Sequence, residues 1–324
     1  MQNILVTGGA GYIGSHCCKE LHKRGFYPIT IDNLVHGHRE NVKWGKLYQG
    51  DIGNPKQLKE LFDNHPVLAI LHFAAYAYVG ESMTVPLKYY ENNVQKTIHL
   101  LHWALKYNIK YFIFSSSCAV YGLPDTIPID EEHPRSPISP YGRSKYMIEE
   151  ILTDCSMAYP MAFMSLRYFN AAGADPDGEI GEKHDPETHL IPLILDVAAG
   201  RTDKIKVFGN DYETRDGSCI RDYIHVTDLA KAHVLALEKL LSGEPSHYLN
   251  LGTGKGFSVL ETIEIAKKIT GKNIAYAVTE RRPGDPPVLT ASNEKAVRIL
   301  DWTPDFTDLE DIVQTAWNWH KNLG

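Results

Sequence analysis

The sequence has no hydrophobic run of the roughly 20 residues that a membrane span needs, and it has no internal repeat or low-complexity segment. Its net charge of −7 at pH 7 is the wrong sign for binding nucleic acid or an anionic membrane surface. Its five cysteines are odd in number and irregularly spaced, which favours reduced thiols over a disulfide framework. We therefore expect a cytoplasmic protein without a nucleic-acid or membrane partner.

The amino-terminal residues suggest neither a targeting segment nor a metal site. The opening stretch MQNILVTGG is typical of a strand, so we expect no signal peptide. His16, Cys17 and Cys18 are metal-ligating residue types, but adjacent positions of a helix do not share a face. The sequence therefore predicts no metal site.

The first half of the chain alternates short apolar runs with longer amphipathic ones. This alternation predicts an α/β fold with a doubly wound parallel sheet of the Rossmann type. The predicted strands are Asn3–Thr7, Tyr27–Ile31, Lys46–Gln49, Ala69–His72, Tyr111–Ser115 and Ala162–Arg167. The predicted helices are Gly11–Arg24, Pro55–Asn64, Val85–Asn108 and Pro140–Ala158.

After about residue 170 the alternation stops. Residues 171–189 are rich in glycine, proline and charge, which is typical of a long functional loop. Beyond them the pattern predicts helices near 190–199, 227–241, 258–270 and 306–321, with short strands near 205–208 and 247–251. We therefore expect a Rossmann-type domain at 1–170 and a smaller, mixed α/β region at 171–324, some elements of which can return to the main sheet.

The stretch ILVTGGAGYIG is an apolar strand that runs into three glycines, Gly8, Gly11 and Gly14, at the start of a helix. Such glycines permit a tight turn and close approach of a pyrophosphate to the positive helix N-terminus. Asp32 ends the next strand, where it can bind an adenosine ribose and would repel a 2′-phosphate. The pattern indicates NAD rather than NADP, with Asp51 after the third strand suited to the adenine edge.

Residues 139–150, SPYGRSKYMIEE, place Tyr141 and Lys145 one turn apart at the start of a helix. An isolated pair of this kind is usually a solvated first turn. Here Ser115–Ser117 lie at a strand end, where ligands bind in a doubly wound sheet, so we expect these hydroxyls to point toward the cofactor. A phenol has a pKa near 10, and a nearby ammonium together with an oxidised nicotinamide favours its phenolate. Together these residues predict proton transfer from an alcohol coupled to hydride transfer.

With these motifs the chain resembles an extended short-chain dehydrogenase/reductase, and it is similar to the UDP-glucose 4-epimerases, also called UDP-galactose 4-epimerases. The resemblance covers essentially the whole length. The motifs that carry it are VTGGAGYIGSH, HFAA, VGES, PLKYYENN, SSSCAVYG, SPYGRSK, LRYFNAAGADP, HLIPL, GNDYETRDGSCIRDYIHVTDL, YLNLGTGKGFSV and RRPGD.

The resemblance implies residue roles. The implied catalytic residues are Ser117, Tyr141 and Lys145, the last two also touching NAD. The other implied NAD contacts are Gly8, Gly11, Tyr12, Ile13, Gly14, Asp32, Asn33, Asp51, Ile52, Phe73, Ala74, Ala75, Asn92, Ser115 and Tyr168. The implied UDP-sugar contacts are Ser117, Tyr141, Asn170, Leu190, Phe208, Arg221, Arg282, Asp285 and Leu289.

The resemblance also implies a reaction and an assembly. Sugar C4 is oxidised, the 4-keto sugar turns within its site, and hydride returns to the opposite face, with NAD held tightly throughout. Residues 1–170 would bind NAD and residues 171–324 the UDP-sugar. A homodimer would form through the helices predicted at 85–108 and 140–158. Apart from the family, Arg221 and Arg282 can fork onto phosphate oxygens and Asp285 can accept ribose hydroxyls.

Related functions are less compatible with the sequence. Sugar-nucleotide 4,6-dehydratases carry Thr-Asp-Glu where this chain has Ser117, Cys118 and Ala119, and elimination needs that extra acid and base. UDP-glucuronate decarboxylases tend to place a glutamate in the same stretch. An NADP-linked ketoreductase is disfavoured by Asp32. A non-catalytic NAD-sensing protein would be expected to have lost Tyr141 or Lys145.

Two positions leave the sugar open. Many 4-epimerases carry a cofactor-touching lysine in the stretch KAVGES, whereas this chain reads AYAYVGES at 75–82, which resembles some UDP-arabinose 4-epimerases that act on UDP-xylose and UDP-arabinose. In the family a small residue at the position of Leu289 admits N-acetylated sugars and a tyrosine excludes them. Leucine is intermediate, and Leu289 can equally be an interior packing residue.

Overall fold

A computed structural model describes residues 1–282 and 284–323. Seven parallel strands form the central sheet in the order β3-β2-β1-β4-β5-β6-β10. The strands are β1 Asn3–Thr7, β2 Tyr27–Asp32, β3 Lys46–Gln49, β4 Val67–His72, β5 Tyr111–Ser117, β6 Ala162–Tyr168, β7 Asn170–Ala172, β8 Ile205–Phe208, β9 Ile220–His225, β10 His247–Leu251, β11 Gly256–Ser258, β12 Tyr276–Thr279 and β13 Val288–Leu289. The predicted doubly wound α/β fold is confirmed.

Helices cover both faces of this sheet. They are α1 Tyr12–Lys23, α2 Pro55–Asn64, α3 Val79–Thr84, α4 Pro86–Tyr89, α5 Lys96–Lys106, α6 Pro140–Ala158, α7 Leu190–Ala198, α8 Val226–Leu241, α9 Val259–Thr270, α10 Glu294–Leu300 and α11 Leu309–His320. One core lies between the sheet and α1 and α8, and the other lies between the sheet and α2, α5 and α6. In the described ranges, no helix is both long enough and apolar enough to cross a bilayer.

The prediction of one helix over Val85–Asn108 was wrong. The structure has the short helix α4, then a six-residue π-helical segment at Tyr90–Gln95, then α5, with α3 preceding them. The wide turn brings Asn93 inward, where its side chain accepts from the Tyr76 amide (2.9 Å) and donates to the Tyr76 carbonyl (3.0 Å). A periodic pattern cannot reveal such a tertiary contact, and π segments often occur at functional sites.

The carboxyl-terminal part both extends the main sheet and forms two smaller sheets of its own. Strand β10 pairs with β6 at the edge of the main sheet, and α8 packs against α1. The remaining strands form a four-stranded sheet of β7, β9, β11 and β13 and the parallel pair β8–β12, which accompany α7, α9 and α11 around a third core. The sequence prediction missed β7, β11, β12 and β13, which have four residues or fewer, and it also missed β9, whose six residues lack the alternation of a half-buried strand. The boundary at residue 170 stays a prediction.

A buried ion pair anchors α6 to the sheet. Glu149 on α6 and Arg167 on β6 are 0% and 1% exposed in their side chains, and they form two hydrogen bonds of 2.7 and 2.9 Å. Glu149 also accepts from the hydroxyls of Ser116 (2.7 Å) and Ser165 (2.8 Å). Because Glu149 lies one turn beyond Lys145, this pair sets how the start of α6 lies over the end of β5.

We expect Glu149→Gln to lower the free energy of unfolding by about 3–5 kcal/mol, because Arg167 is left as an uncompensated buried charge. Glu150→Gln is the matched control. Its side chain is about half exposed and lies 3.5 Å from Arg135, so its loss costs about 1 kcal/mol or less. Urea unfolding of the three proteins measures both effects, and similar losses at the two positions would contradict a dominant role for the buried pair.

Candidate functional site

The three glycines of the first turn differ in how much space a side chain would have. Gly8 has φ +73°, and a Cβ there would lie 2.7 Å from the Ala74 nitrogen. A Cβ on Gly14 would lie 2.3 Å from the Gly8 carbonyl oxygen, so glycine is required where α1 crosses β1. A Cβ on Gly11 would meet only the Gly8 oxygen, at 3.3 Å. The interior therefore requires Gly8 and Gly14, whereas a Cβ on Gly11 would meet no other atom within 4 Å.

The start of α1 suits an anion. Gly11 is the N-cap, no side chain caps the helix, and its first turn contains no acidic residue. The backbone N–H groups and the helix dipole can thus act on a phosphate. Asp32, which ends β2, accepts from the amides of Ala10 (3.0 Å) and Leu34 (2.8 Å). Burial raises the Asp32 pKa, and these bonds oppose the shift. The turn, the uncapped helix and the carboxylate fit a dinucleotide.

Asp51 lies in a hydrogen-bonded cluster beyond β3. Its carboxylate accepts from Lys96 Nζ (2.6 Å), the Gly53 amide (2.7 Å) and Asn33 Nδ2 (3.5 Å). Partial burial raises the Asp51 pKa, but these donors outweigh it and hold the pKa below its usual value. Ile52, the next residue, is buried in the core. The sequence prediction missed Lys96, because it is 45 residues away in the chain.

The strand ends β4 and β5 and the π segment close the other side of the turn. The Phe73 amide donates to the Thr7 carbonyl (2.9 Å), and the Ala74 amide donates to the Thr7 hydroxyl (3.3 Å). The Asn92 side chain donates to the side chain of Asn93 (3.1 Å). Tyr12 and Ile13 are the first residues of α1, and Ala75 is three residues past the end of β4. The predicted cofactor contacts thus follow the carboxyl ends of β1 to β6 or lie at the start of α1 and in the π segment.

Tyr141, Lys145 and Ser117 meet where α6 begins over the end of β5. Tyr141 and Lys145 are 7% and 2% exposed. Lys145 Nζ donates to the Ser115 carbonyl (2.6 Å) and lies 5.9 Å from the centre of the Tyr141 ring. The Ser115 and Tyr168 hydroxyls are 2.7 Å apart, and Ser117 accepts from the Ala119 amide (3.2 Å). The structure therefore brings together the side chains that the sequence pattern singled out.

Burial governs the titration of this pair. It raises the pKa of Tyr141 to about 12, although the neighbouring Ser117 hydroxyl lowers it in part. Burial also lowers the pKa of Lys145 to about 7, with the Glu149 charge acting in the opposite direction. Loss of solvation thus dominates the Tyr141 pKa in the chain without NAD, and the favouring of phenolate by Lys145 together with an oxidised nicotinamide stays a prediction.

The predicted substrate contacts form two pairs in the carboxyl-terminal region. Arg221 on β9 donates to Asp285 (2.5 Å) and to the carbonyls of Ile220 (2.8 Å) and Pro286 (2.9 Å). The guanidinium of Arg282 lies 4.5 Å from the ring centre of Phe208. Arg221 and Asp285 are thus bonded to each other here, so a phosphate and a ribose would each compete with an existing contact.

The remaining predicted substrate contacts are Asn170, Leu190 and Leu289, on β7, α7 and β13. Asn170 donates to the Asp222 carbonyl (2.9 Å), and Leu190 is the first residue of α7. Leu289 on β13 is half-buried against a small core cluster that includes Tyr121 and Phe169. Both the gatekeeper and the packing interpretations of Leu289 are compatible with this position.

The chain is similar to known proteins over most of its length. A sequence model described as the NAD-dependent epimerase/dehydratase family matches residues 4–252. The chain belongs to this family. A curated relative, the UDP-glucose 4-epimerase of Rhizobium meliloti (strain 1021), is 53% identical over 321 residues, covering 98% of this chain and 97% of the relative.

Solved structures agree with this assignment. UDP-glucose 4-epimerase from Brucella ovis in complex with NAD is 49% identical, with a TM-score of 0.96 and 98% coverage of both chains. UDP-glucose-4-epimerase from Stenotrophomonas maltophila with bound NAD and formylated UDP-arabinopyranose is 40% identical, with a TM-score of 0.95, covering 99% of this chain and 98% of that one. The predicted resemblance, the fold, the epimerase class and NAD as the cofactor are confirmed.

Proposed function

We propose that this protein is an NAD-dependent epimerase that inverts C4 of a UDP-sugar, with UDP-glucose and UDP-galactose as its main substrates. The observation that carries the proposal is the position of Tyr141, Lys145 and Ser117 at the end of β5, next to a dinucleotide turn. Full-length relatives with the name UDP-glucose 4-epimerase support the same function.

Tyr141 is the proposed acid and base. It removes the proton of the C4 hydroxyl in the first half-reaction and returns a proton to the C4 oxygen in the second. Ser117 binds the same oxygen and orients it, while Lys145 stabilises the phenolate. Bound NAD supplies the acceptor and later the donor of hydride and, when oxidised, a positive charge near the phenol. Because burial raises the pKa of Tyr141 to about 12, the phenol keeps its proton at neutral pH when no ligand is bound.

The proposed NAD contacts are those at the strand ends. Gly8, Gly11 and Gly14 would admit the pyrophosphate to the start of α1, and Asp32 would bind the adenosine ribose and exclude NADP. The other proposed contacts are Tyr12, Ile13, Asn33, Asp51, Ile52, Phe73, Ala74, Ala75, Asn92, Ser115, Tyr141, Lys145 and Tyr168.

The proposed UDP site uses the carboxyl-terminal pairs. Arg221 and Arg282 would bind the diphosphate, and Asp285 would be released from Arg221 to accept the ribose hydroxyls. Asn170, Leu190, Phe208 and Leu289 would complete the site. Holding the nucleotide firmly leaves the sugar free to present both faces, which an epimerase needs and a simple reductase does not.

The test uses the purified protein without added nucleotide. We expect denaturation to release NAD and the native protein to interconvert UDP-glucose and UDP-galactose. A protein that carries no nucleotide and consumes NADH or NADPH stoichiometrically would be a reductase instead. The same panel includes UDP-xylose and UDP-N-acetylglucosamine, because residues 75–82 leave a pentose epimerase as an alternative and Leu289 leaves an N-acetylhexosamine epimerase.

We expect plain hexoses to react faster than N-acetylated ones, because an acetamido group at C2 would sweep past Leu289 in one of two sugar orientations. A misfit of one or two methylenes is worth about 1–3 kcal/mol, or about 10–200-fold in kcat/KM. Leu289→Ser should relax the preference. Val288→Ser, on the opposite face of β13, should not. Equal rates on both sugars in the wild type would remove Leu289 as the gatekeeper.

We also propose a homodimer formed by α5 and α6. Ile98 and Met147 on these helices are 39% and 44% exposed, and Leu105 and Ile151 line the same apolar surface. An apolar surface of this kind favours association. Met147→Glu should shift the sedimentation coefficient from dimer to monomer, whereas Met157→Glu, near the end of α6, serves as the control. A wild type that sediments as a monomer would contradict the proposal.

A cytoplasmic role in galactose metabolism is the accompanying proposal. The five cysteines are all free in the described residues, and Cys17, Cys18 and Cys219 are buried, which suits a reducing compartment. Interconversion of UDP-glucose and UDP-galactose would connect the two hexoses. Fractionation of the source cells with an activity assay tests the location.

A further inference from the structure

The loop before α7 gathers four metal-ligating side chains that the proposed reaction does not use. They are Glu182, His184, Glu187 and His189, and one ligand atom from each lies within 4.8 Å of all the others. Three of the four side chains are less than one fifth exposed. We propose that these side chains bind one divalent transition-metal ion of the Zn²⁺ type.

The distances between the ligand atoms suit a tetrahedral site. His184 Nδ1 lies 3.3 Å from Glu182 Oε1 and 3.5 Å from Glu187 Oε2. His189 Nδ1 lies 2.9 Å from oxygens of both glutamates. Ligands at about 2.0–2.1 Å from a tetrahedral zinc ion are about 3.3–3.4 Å apart. The four nitrogen–oxygen distances are therefore close to this spacing.

The donor set selects the class of ion. Two imidazole nitrogens with two carboxylates suit zinc and similar transition metals, whereas Mg²⁺ and Ca²⁺ prefer ligand sets made of oxygen. His184 Nδ1 is buried and has no hydrogen-bond partner in the part of the chain that the structure describes. This nitrogen faces the carboxylates of Glu182 and Glu187, so a metal ion could replace its proton and bind all three groups.

An acidic cluster elsewhere in the chain already surrounds a cation. Asp175, Asp177 and Glu179 surround Lys19 Nζ at 2.8, 2.8 and 2.6 Å, so a cation of the chain already neutralises them. Within residues 1–282 and 284–323, neither Glu182 nor Glu187 pairs with a lysine or an arginine. Glu182 and Glu187 instead pair with His184 and His189, whose rings can exchange a proton for a metal ion, whereas Lys19 fills the centre of the other cluster.

The position suggests what the ion would do. The rings of Tyr12 and Tyr78 pack edge-on against His184 at 6.3 and 6.5 Å, and the Tyr78 hydroxyl donates to the Pro186 carbonyl (3.2 Å). His189 is the N-cap of α7 and is 44% exposed, which provides an entry path. The ion would hold the loop between the start of α1 and the start of α7. This inference goes beyond the proposed function and does not depend on it.

The experiment measures metal binding directly on the NAD-containing protein. After treatment with a chelator, the wild type is dialysed against Zn²⁺ or Mg²⁺, and the metal per chain and the Tm are determined. We expect about one Zn²⁺ per chain, a Tm that rises with Zn²⁺ and not with Mg²⁺, and Co²⁺ absorption typical of a tetrahedral site. His184→Gln should weaken zinc binding beyond the about 10–100-fold that loss of an outer-shell partner costs. His22→Gln, an exposed histidine in the last turn of α1, is the control.

The contrary results are equally definite. A wild type that binds no Zn²⁺, or binds it as well after His184→Gln as before, would show that the four side chains form only an ion-pair cluster. If His184→Gln failed to fold, Glu182→Gln, which keeps one oxygen ligand and loses the charge, takes its place. The zinc content and Tm response of the wild type decide the matter even if both variants were unstable.

Discussion

Replacing Tyr141 by phenylalanine should abolish turnover while NAD stays bound. The substitution removes the hydroxyl that transfers the proton and keeps the ring, which is 7% exposed and packed at the start of α6. Positioned acid–base groups contribute about 10²–10⁴-fold to rate, so kcat should fall by about 10²–10⁴-fold. Turnover of UDP-galactose and NAD released on denaturation measure the two halves of this prediction.

The matched control for Tyr141→Phe is Tyr146→Phe. Tyr146 lies on the same helix, more than one turn away, with its ring 5.2 Å from Arg135. It loses the same hydroxyl without touching the proposed site, so kcat should remain close to that of the wild type. If Tyr141→Phe retained near wild-type kcat, or if it lost NAD as well as activity, the proton-transfer role would be wrong.

Alanine substitutions at two glycines of the first turn should separate cofactor binding from folding. At Gly11 the new Cβ meets only one atom, at 3.3 Å, so we expect a free energy of unfolding within about 1 kcal/mol of the wild type. The methyl group would occupy the approach of the pyrophosphate to α1, so NAD affinity should fall by more than about tenfold, or 1.4 kcal/mol.

Gly14→Ala should lower both the NAD affinity and the free energy of unfolding. Its Cβ would lie 2.3 Å from the Gly8 oxygen, and α1 would have to move away from β1, which costs about 1–3 kcal/mol of stability or more. Gly80→Ala is the control, because a Cβ there meets nothing within 4 Å in an exposed position of α3. Gly11→Ala protein that purifies with full NAD would refute the ligand-facing role of Gly11.

Much of the site was predictable because its residues follow local patterns. The glycine spacing, the aspartate at the end of β2 and the Tyr141–Lys145 spacing each depend on neighbours within a strand, a turn or a helix. The carboxyl-terminal contacts were reachable only through resemblance to a family, since a single arginine or leucine carries no periodic signal. The strand β9 and the π segment at Tyr90–Gln95 had no local signature that periodicity could detect.

The contacts between distant residues lay beyond any local pattern. Lys96 meets Asp51 across 45 positions, and Glu149 meets Arg167 between a helix and a strand. The direction of the Tyr141 pKa shift is of the same kind. The sequence shows an ammonium one turn away, but the loss of solvation that dominates depends on what the whole fold packs around the phenol.

The sequence by itself determined the doubly wound sheet, the dinucleotide turn and the identity of the proposed catalytic residues, because hydrophobic periodicity and short spacings are properties of neighbouring residues. Only the tertiary structure decided that Arg221 bonds to Asp285, that Lys145 reaches the Ser115 carbonyl, and that Glu182, His184, Glu187 and His189 surround one point. These facts depend on how loops and sheets fold back on each other, since distances between side chains of different elements, and their burial, arise only when the core is packed.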